Sequence, residues 1–206
     1  MTTTTTRRRG AALVGAAALA LSTLALAAPA APSGAQADPD LLDCFGNPLP
    51  WFGGTIFVRE GTTGWTTGTP GNDVIIGTDD ADLINGDGGD DVICGGAGED
   101  FILGGEGDDT IDGEQNDDII EGYDGVDHIY GHAGHDDLYG SDGDDHILGG
   151  RGDDEIYGGD DDDTLWGEHG RDDIDCGAGG ADYADLGVDA DDPQTGCEEW
   201  YDPWWA

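Results

Sequence analysis

A period of nine residues runs through the middle of the chain and constrains its fold more than any other feature. Starting at Gly68, twelve nonapeptides follow one another to Asp175 without an insertion or a deletion. Position 1 is Gly and position 6 is Asp in all twelve copies, and position 8 is always Ile or Leu. Such self-similarity is typical of architectures in which each repeat stacks on its neighbours. The sequence therefore predicts a stacked, solenoidal fold.

Each recurring position has a physical role. Glycine at positions 1 and 4 is expected to provide a positive φ and to expose backbone carbonyls. Position 4 is Gly in nine copies, and its exceptions, Asp80, Asn116 and Asp161, are residue types that tolerate a left-handed backbone. Positions 7 to 9 are expected to be extended, with the position-8 side chain on the opposite face from its neighbours. Such short strands must stack in register, which buries the column of position-8 side chains.

The position-6 aspartates are the candidate site residues. Each of them places a carboxylate beside the exposed carbonyls of the turn. An all-oxygen environment of this kind suits a hard cation such as calcium. We therefore expect the following twelve residues to be metal ligands: Asp73, Asp82, Asp91, Asp100, Asp109, Asp118, Asp127, Asp136, Asp145, Asp154, Asp163 and Asp172.

The pattern resembles the repeats-in-toxin (RTX) family, whose nonapeptide is G-G-x-G-x-D-x-U-x. Residues 95–103 (GGAGEDFIL) and 149–157 (GGRGDDEIY) are the best copies, although position 2 departs from Gly in eight copies. The resemblance implies an all-β fold, a right-handed parallel β-roll with two nonapeptides per turn, so the twelve copies would form six turns. It also implies calcium ions between the turns, held by position-6 carboxylates and loop carbonyls. The ten stacked pairs of copies set the upper bound on the number of ions.

The acidity of the chain indicates how it folds. The 47 Asp and Glu residues against 6 Arg give a net charge of −41, which taken alone is typical of disorder. This charge excludes binding to nucleic acid or to an anionic membrane surface. Without cations, repulsion between stacked carboxylates and the chain entropy outweigh the small Ile/Leu column. We therefore expect an unfolded chain where calcium is scarce and a roll that folds on binding calcium. The acids at positions 3, 5 and 7 are surplus that keeps the roll soluble.

The first 37 residues are typical of an export signal. Residues 7–9 are three arginines, residues 11–27 form an Ala-rich apolar run, and residues 35–37 offer an A-x-A cleavage site. The apolar run is short for a membrane span, so membrane insertion is not expected, and an uncleaved anchor is the alternative. The general secretory and twin-arginine routes both stay open. The protein is thus predicted to be secreted and extracellular.

Short segments are expected to cap both ends of the roll, because solenoids need protected ends. After Asp175 a one-residue slip restores the repeat phase and leads to Asp182, a degraded thirteenth site. The predicted organisation is a signal peptide at 1–37, an N-terminal cap at 38–67, the calcium-binding roll at 68–175 and a C-terminal cap at 176–206.

Four cysteines in an exported chain suggest two disulfides, for which three pairings are possible. The tail looks like the C-terminal cap of secreted actinobacterial calcium-binding repeat proteins. On that resemblance we favour Cys176–Cys197, and hence Cys44–Cys94. The second pair has support from apolar outward residues around Cys94, such as Val92 and Phe101, which the N-terminal segment is expected to cover. Free thiols are the alternative.

Several outward positions carry aromatic side chains. They form either a stacking ladder, covered by the aromatic C-terminal tail, or a surface for an extracellular protein or glycan partner. Tyr130, Leu148 and Trp166 fall on one column, and Tyr139 and Tyr157 fall on the other.

His128 and His146 are 18 residues apart, which places them on adjacent rungs of one face. Two imidazoles in this arrangement either hold a transition metal or form part of the solvated surface.

The sequence lacks a catalytic constellation. Ser141 is the only serine outside the predicted signal peptide, no H-E-x-x-H motif occurs, and the flanking segments are too small for an enzyme domain. We therefore predict a secreted calcium-binding protein that is not an enzyme. The alternative is a calcium-stabilised adhesion or interaction module that binds through the outward aromatic residues. Ice binding is disfavoured because position 3 lacks rows of Thr or Asn.

Overall fold

The structure is a computed structural model that describes residue 44 and residues 55–58, 64–179, 181–185 and 193–197. The predicted signal peptide and the aromatic tail lie outside the described residues. Every secondary-structure element in the described part of the chain is a β-strand. Among the residues that the structure describes, no helix has the length and apolar character needed to span a bilayer.

The strands succeed one another at the spacing of the repeat. Each central copy contributes one strand of six residues. The strands are β1 (Thr55–Phe57), β2 (Thr66–Thr67), β3 (Val74–Ile76), β4 (Leu83–Gly88), β5 (Val92–Ala97), β6 (Phe101–Glu106), β7 (Thr110–Gln115), β8 (Ile119–Asp124), β9 (His128–Ala133), β10 (Asp137–Asp142), β11 (His146–Arg151), β12 (Glu155–Asp160), β13 (Thr164–His169), β14 (Asp173–Ala178), β15 (Tyr183–Asp185) and β16 (Gln194–Thr195).

Alternate strands belong to two separate parallel sheets. The first sheet, called the odd sheet, has the order β1-β3-β5-β7-β9-β11-β13-β15. The second, called the even sheet, has the order β2-β4-β6-β8-β10-β12-β14-β16. Partners within the roll are 18 residues apart, as in Ile129 and Ile147. The prediction of an all-β parallel β-roll with two nonapeptides per turn is confirmed. The twelve copies supply β3 to β14, which makes six turns, and each sheet gains one strand at either end.

The strands are longer than the three residues expected. Most of them start at position 7 and continue through the glycine at position 1 to position 3 of the next copy. In β6, for example, Phe101 pairs with Ile119 and Gly105 pairs with Tyr123. The pairing skips the position-1 glycine itself, here Gly104, and resumes at positions 2 and 3 of the next copy.

The core is a single column of aliphatic side chains. All twelve position-8 residues are completely buried, as predicted. Val58, Ile56 and Ala184 extend the column beyond the repeats. The column consists of Ile75, Ile84, Ile93, Ile102, Ile111, Ile120, Ile129, Leu138, Ile147, Ile156, Leu165 and Ile174.

The expectation of a positive φ at position 1 is wrong, since none of the position-1 glycines has one. A different constraint applies there. A Cβ atom on Gly95 would lie 2.5 Å from Oδ2 of Asp100 and 2.9 Å from the carbonyl oxygen of Gly113. Any side chain at this position would therefore collide with the buried carboxylate of its own copy and with the next turn.

Positive φ angles occur at position 4 and, unexpectedly, at position 2. Position 4 has them in nine copies, including Asn116 (77°) and Asp161 (82°) as predicted, but Asp80 does not adopt one. Position 2 has them from the third copy onward, and there non-glycine residues carry a conformational cost of about 1 kcal/mol each. These residues are Asp87, Glu114, Tyr123, His132, Ser141 and Glu168.

Both favoured disulfides are present. Cys44 and Cys94 have a Cα–Cα distance of 5.7 Å, and Cys176 and Cys197 have one of 5.1 Å. No cysteine is free.

The described part of the N-terminal segment extends the roll. Ile56 pairs with Ile75, so β1 continues the odd sheet. On the even sheet, Trp65 contacts the ring of Phe101 edge to face at 5.5 Å. Trp51 and Phe52, which belong to the N-terminal segment that is expected to cover the outward apolar residues, lie outside the described residues.

Candidate metal centre

The twelve predicted ligands form two columns, one preceding the strands of each sheet. All twelve aspartates are buried, with at most 6% of their surface exposed. The cause is local. Each of them lies at the end of the turn, immediately before a strand, where its side chain folds back over the position-1 glycine of the same copy.

A continuous hydrogen-bond ladder links the aspartates within each column. The backbone N–H of one aspartate donates to Oδ1 of the aspartate one turn later, at 2.7–3.1 Å. The ten stacked pairs inferred from the repeat are all linked in this way. Asp163 donates to Oδ1 of Asp182 at 3.1 Å, so the structure places Asp182 as the thirteenth member.

In most of these aspartates, the second carboxylate oxygen, Oδ2, does not take part in the hydrogen-bond ladder. For nine of them, Oδ2 is buried and has no hydrogen-bond partner among the described residues. A buried oxygen of this kind is costly unless a donor or a cation reaches it. The nine residues are Asp91, Asp100, Asp109, Asp118, Asp127, Asp136, Asp145, Asp154 and Asp163.

In the first two copies, unlike those nine, Oδ2 accepts hydrogen bonds from the protein. Oδ2 of Asp73 accepts the backbone N–H and the hydroxyl of Thr69, at 2.6 and 2.8 Å. Oδ2 of Asp82 accepts the same two groups of Thr78, at 2.8 and 2.9 Å. The structure thus places Asp73 and Asp82 in the columns but gives their Oδ2 atoms partners from the protein.

Burial opposes the negative charge of the columns. The pKa of Asp118 and of Asp145 is raised to about 8: burial is the largest cause, the ladder N–H groups oppose it, and neighbouring aspartates add to it. Burial likewise raises the pKa of Asp91, Asp109, Asp154 and Asp163 to about 7, and of Asp100, Asp127 and Asp136 to about 6.

The unpartnered oxygens converge with backbone carbonyls in space that only glycine leaves open. A Cβ atom on Gly113 would lie 2.5 Å from Oδ2 of Asp118 and 3.3 Å from the carbonyl oxygen of Gly131. The small cradle beside position 1 therefore contains one carboxylate oxygen and one carbonyl oxygen from adjacent turns. This oxygen donor set fits a hard divalent cation.

The RTX calcium-binding nonapeptide repeat matches the sequence in four copies, over residues 67–102, 103–138, 139–174 and 148–183. Together these copies span more than half of the chain. The chain belongs to this family. RTX repeats bind calcium on a β-roll, and the cradles between the turns contain oxygen atoms of the kind that calcium prefers as ligands. A comparison with curated proteins finds no match.

A second column in the RTX roll, at position 5, was not predicted. Oδ1 of Asp108 accepts the backbone N–H of Val126 at 3.0 Å, and Oδ1 of Asp144 accepts that of Asp162 at 3.0 Å. The ladder runs in the opposite direction to the position-6 ladder, and its carboxylates are exposed. Position 5 thus satisfies turn N–H groups, a role that the recurrence of Asp or Asn every 18 residues indicates in retrospect.

The outward aromatic columns of the RTX roll are confirmed. Tyr130, Leu148 and Trp166 are in register on the odd sheet. On the even sheet, the rings of Tyr139 and Tyr157 are parallel to within 4° at a centroid distance of 4.9 Å. Because these two rings stack along the roll, each covers one face of the other. A protein or glycan partner for the columns stays a prediction.

The two histidines lie on adjacent rungs as predicted. The rings of His128 and His146 have a centroid distance of 4.9 Å and an interplanar angle of 46°. Burial and the neighbouring His146 lower the pKa of His128. A transition metal at this pair stays a prediction.

Proposed function

We propose that the chain is a secreted calcium-binding protein whose position-6 aspartates ligate several calcium ions between stacked turns. The observation that carries the proposal is the set of buried Oδ2 atoms without hydrogen-bond partners among the described residues. Each of these atoms lies beside a backbone carbonyl of the adjacent turn. A calcium ion supplies the positive charge that burial and neighbouring carboxylates make necessary.

The proposed ligands are the aspartates of the third to twelfth copies, from Asp91 to Asp172. Asp73 and Asp82 were also predicted to be ligands, but their Oδ2 atoms bind threonine. Without these two residues, eight of the ten stacked pairs remain. We therefore expect about eight calcium ions per chain in place of the upper bound of ten.

Calcium binding is proposed to drive folding after export. A ligand that binds the folded chain but not the unfolded chain stabilises the fold by mass action. The single aliphatic column is a small core for a chain with a net charge of −41, so ion binding supplies much of the stability of the roll. The N-terminal 37 residues and two disulfides support an extracellular location, where both calcium and oxidising conditions are available. The protein acts as a binding protein and not as an enzyme, because its carboxylates recur at every rung instead of forming one acid/base pair.

Circular dichroism of the disulfide-bonded chain tests this proposal. We expect a largely unfolded spectrum in calcium-free buffer and a cooperative gain of β-structure on adding calcium, with magnesium as the matched control. Calorimetric titration should then give about eight ions. Identical spectra with and without calcium contradict calcium-driven folding, and a calorimetric titration without heat of binding contradicts the calcium function itself.

A further inference from the structure

Thr69 and Thr78, at position 2 of the first two copies, complete the turns that contain them. Each donates its backbone N–H and its hydroxyl to Oδ2 of the aspartate four residues later, Asp73 or Asp82, at 2.6–2.9 Å. In nine of the later copies, the same oxygen is buried without a hydrogen-bond partner among the described residues. In the first two copies, protein donors therefore occupy the oxygen that the proposed function assigns to calcium.

The backbone at position 2 separates the two kinds of turn. From the third copy onward every position-2 residue has a positive φ, and none of these ten residues is β-branched. Thr69 and Thr78 are β-branched, a class in which a positive φ is rare, and neither has one. A Cβ atom on Gly77 would lie 3.1 Å from Oδ2 of the same copy, compared with 2.5 Å for Gly113, so this oxygen lies farther from the cradle in the second copy.

Other contacts at the N-terminal end of the roll are also independent of ions. The Cys44–Cys94 disulfide closes a loop that contains both threonine copies, and it stabilises the fold by restricting the unfolded chain. Strand β1 pairs with β3, and the outward side chain of Val74 is only 3% exposed. The C-terminal end also has a disulfide, but Oδ2 of Asp154 and of Asp163 has no partner there among the described residues.

We propose that Thr69 and Thr78 keep the first turn of the roll folded without calcium, as a seed from which the calcium-dependent turns assemble towards the C terminus. This inference rests on the proposed calcium function, and it adds that the two position-2 threonines decide which turns are independent of the ion.

The seed is connected to the first calcium ligands by the position-6 ladder. The backbone N–H of Asp73 donates to Oδ1 of Asp91 at 2.7 Å. That of Asp82 donates to Oδ1 of Asp100 at 2.8 Å. A folded seed therefore positions the carboxylates of the third and fourth copies. Because each turn of a solenoid contacts only its neighbours, growth from a preformed end avoids the cost of forming a first turn.

Hydrogen exchange of the disulfide-bonded chain tests the seed. In calcium-free buffer we expect the strand amides of residues 66–94 to be protected by a factor of at least about 100, and those of residues 101–178 to exchange as in an unfolded chain. As calcium is added, protection should spread from β6 towards β14. A calcium-free chain without protection at residues 66–94, or protection that starts at the C-terminal end, overturns the proposal.

Two double variants separate the backbone from the hydroxyl. Thr69→Gly with Thr78→Gly should abolish the calcium-free protection and, because glycine adopts a positive φ, raise the calorimetric number of calcium ions from about eight to about ten. Thr69→Val with Thr78→Val keeps the branched side chain and the N–H donor, so it should weaken the protection about tenfold and add no ion. Ser141→Gly is the matched control at position 2 of a later copy and should change neither quantity.

The outcomes distinguish this inference from the proposed function. If the glycine variant keeps both its protection and its ion number, the threonines have no such role. Calcium binding by the unmodified chain without calcium-free protection refutes the seed alone, whereas a chain that binds no calcium refutes the proposed function. Circular dichroism in calcium verifies that each variant folds. If the glycine variant does not fold, the tenfold loss expected for the valine variant still decides the result.

Discussion

The aspartates at position 6 and those at position 5 form two kinds of column in the roll. Both kinds accept the same type of hydrogen bond, but only the position-6 aspartates are buried. Asp127 at position 6 and Asp108 at position 5 both accept a backbone N–H from an adjacent turn on Oδ1, at 2.8 and 3.0 Å. Their second oxygens differ. That of Asp127 is buried without a partner among the described residues, whereas Asp108 is exposed to water.

The comparison shows that burial, and not residue type, decides which carboxylate needs a cation. An exposed carboxylate keeps its hydration, so position 5 tolerates Asn, Glu, His, Val, Ala and Arg in place of Asp. A buried carboxylate loses its hydration and must be compensated. Position 6 is therefore Asp in all twelve copies.

The largest effect is expected from pH, because it acts on the whole position-6 column at once. For the nine position-6 aspartates from Asp91 to Asp163, the pKa in the folded roll is raised from 3.8 to between about 6 and about 8, as for Asp127 and Asp145. The calcium-free roll thus binds protons that the unfolded chain does not, and its stability is lost as the pH rises through these values. In calcium-free buffer, circular dichroism should show more β-structure at pH ~5 than at pH ~8.

In the presence of calcium, the pH dependence of the stability should reverse, because protons compete with the calcium ions for the same carboxylate oxygens. Paired Asn substitutions separate the two columns. Asp127→Asn with Asp145→Asn should reduce the pH dependence of the calcium-free chain, whereas Asp108→Asn with Asp144→Asn should leave it intact. An equal reduction in both double variants would show that net charge, and not burial at position 6, controls folding.

Single Asn substitutions measured in calcium compare the columns directly. The amide keeps the Oδ1 acceptor at both positions, so the difference reports the loss of the second carboxylate oxygen together with its charge. Asp127→Asn should destabilise the calcium-loaded roll by about 3 kcal/mol and lower the number of bound ions. Asp108→Asn should change the stability by less than about 0.5 kcal/mol. Thermal unfolding and calorimetric stoichiometry measure both effects, and similar losses for the two variants would refute the distinction between buried and exposed carboxylates.

A methyl group beside the buried oxygen tests the cradle. A Cβ atom on Gly149 would lie 2.5 Å from Oδ2 of Asp154 and 3.1 Å from the carbonyl oxygen of Gly167. Gly149→Ala should therefore destabilise the calcium-loaded roll by about 2 kcal/mol and weaken one calcium site. Gly71→Ala is the matched control, because nothing lies within 4 Å of a Cβ atom there. A neutral Gly149→Ala would contradict the assignment of the cradle.

Most of the fold follows from the sequence because the repeat fixes its own register. Invariance at positions 1, 6 and 8 predicts the two parallel sheets, the buried Ile/Leu column and the stacked aspartates. The disulfides were predictable as well, since the resemblance favoured Cys176–Cys197 and only one further pair was left. The twelve aspartates are where the pattern places them.

The rest depended on three-dimensional neighbours that a pattern does not show. Invariant glycine at position 1 looked like a backbone requirement, but its cause is the carboxylate five residues later. Thr69 and Thr78 looked like ordinary departures at position 2, yet they satisfy the Oδ2 atoms of Asp73 and Asp82. The position-5 ladder joins residues that are 18 apart through one carboxylate oxygen. The pattern did not predict it, because acidic residues are also frequent at positions 3 and 7.

The smallest effect is expected at an exposed glutamate, where the backbone conformation destabilises the roll and the charge of the side chain does not. Glu168 is exposed at position 2 and has a φ of 69°. Glycine adopts this conformation freely, so Glu168→Gly should stabilise the calcium-loaded roll by about 1 kcal/mol. Glu168→Gln removes the same charge but keeps the side chain, and it should change the stability by less than about 0.5 kcal/mol. If thermal unfolding gives equal gains for both variants, charge repulsion among exposed acids matters, and the contrast between buried and exposed carboxylates is weaker than the columns indicate.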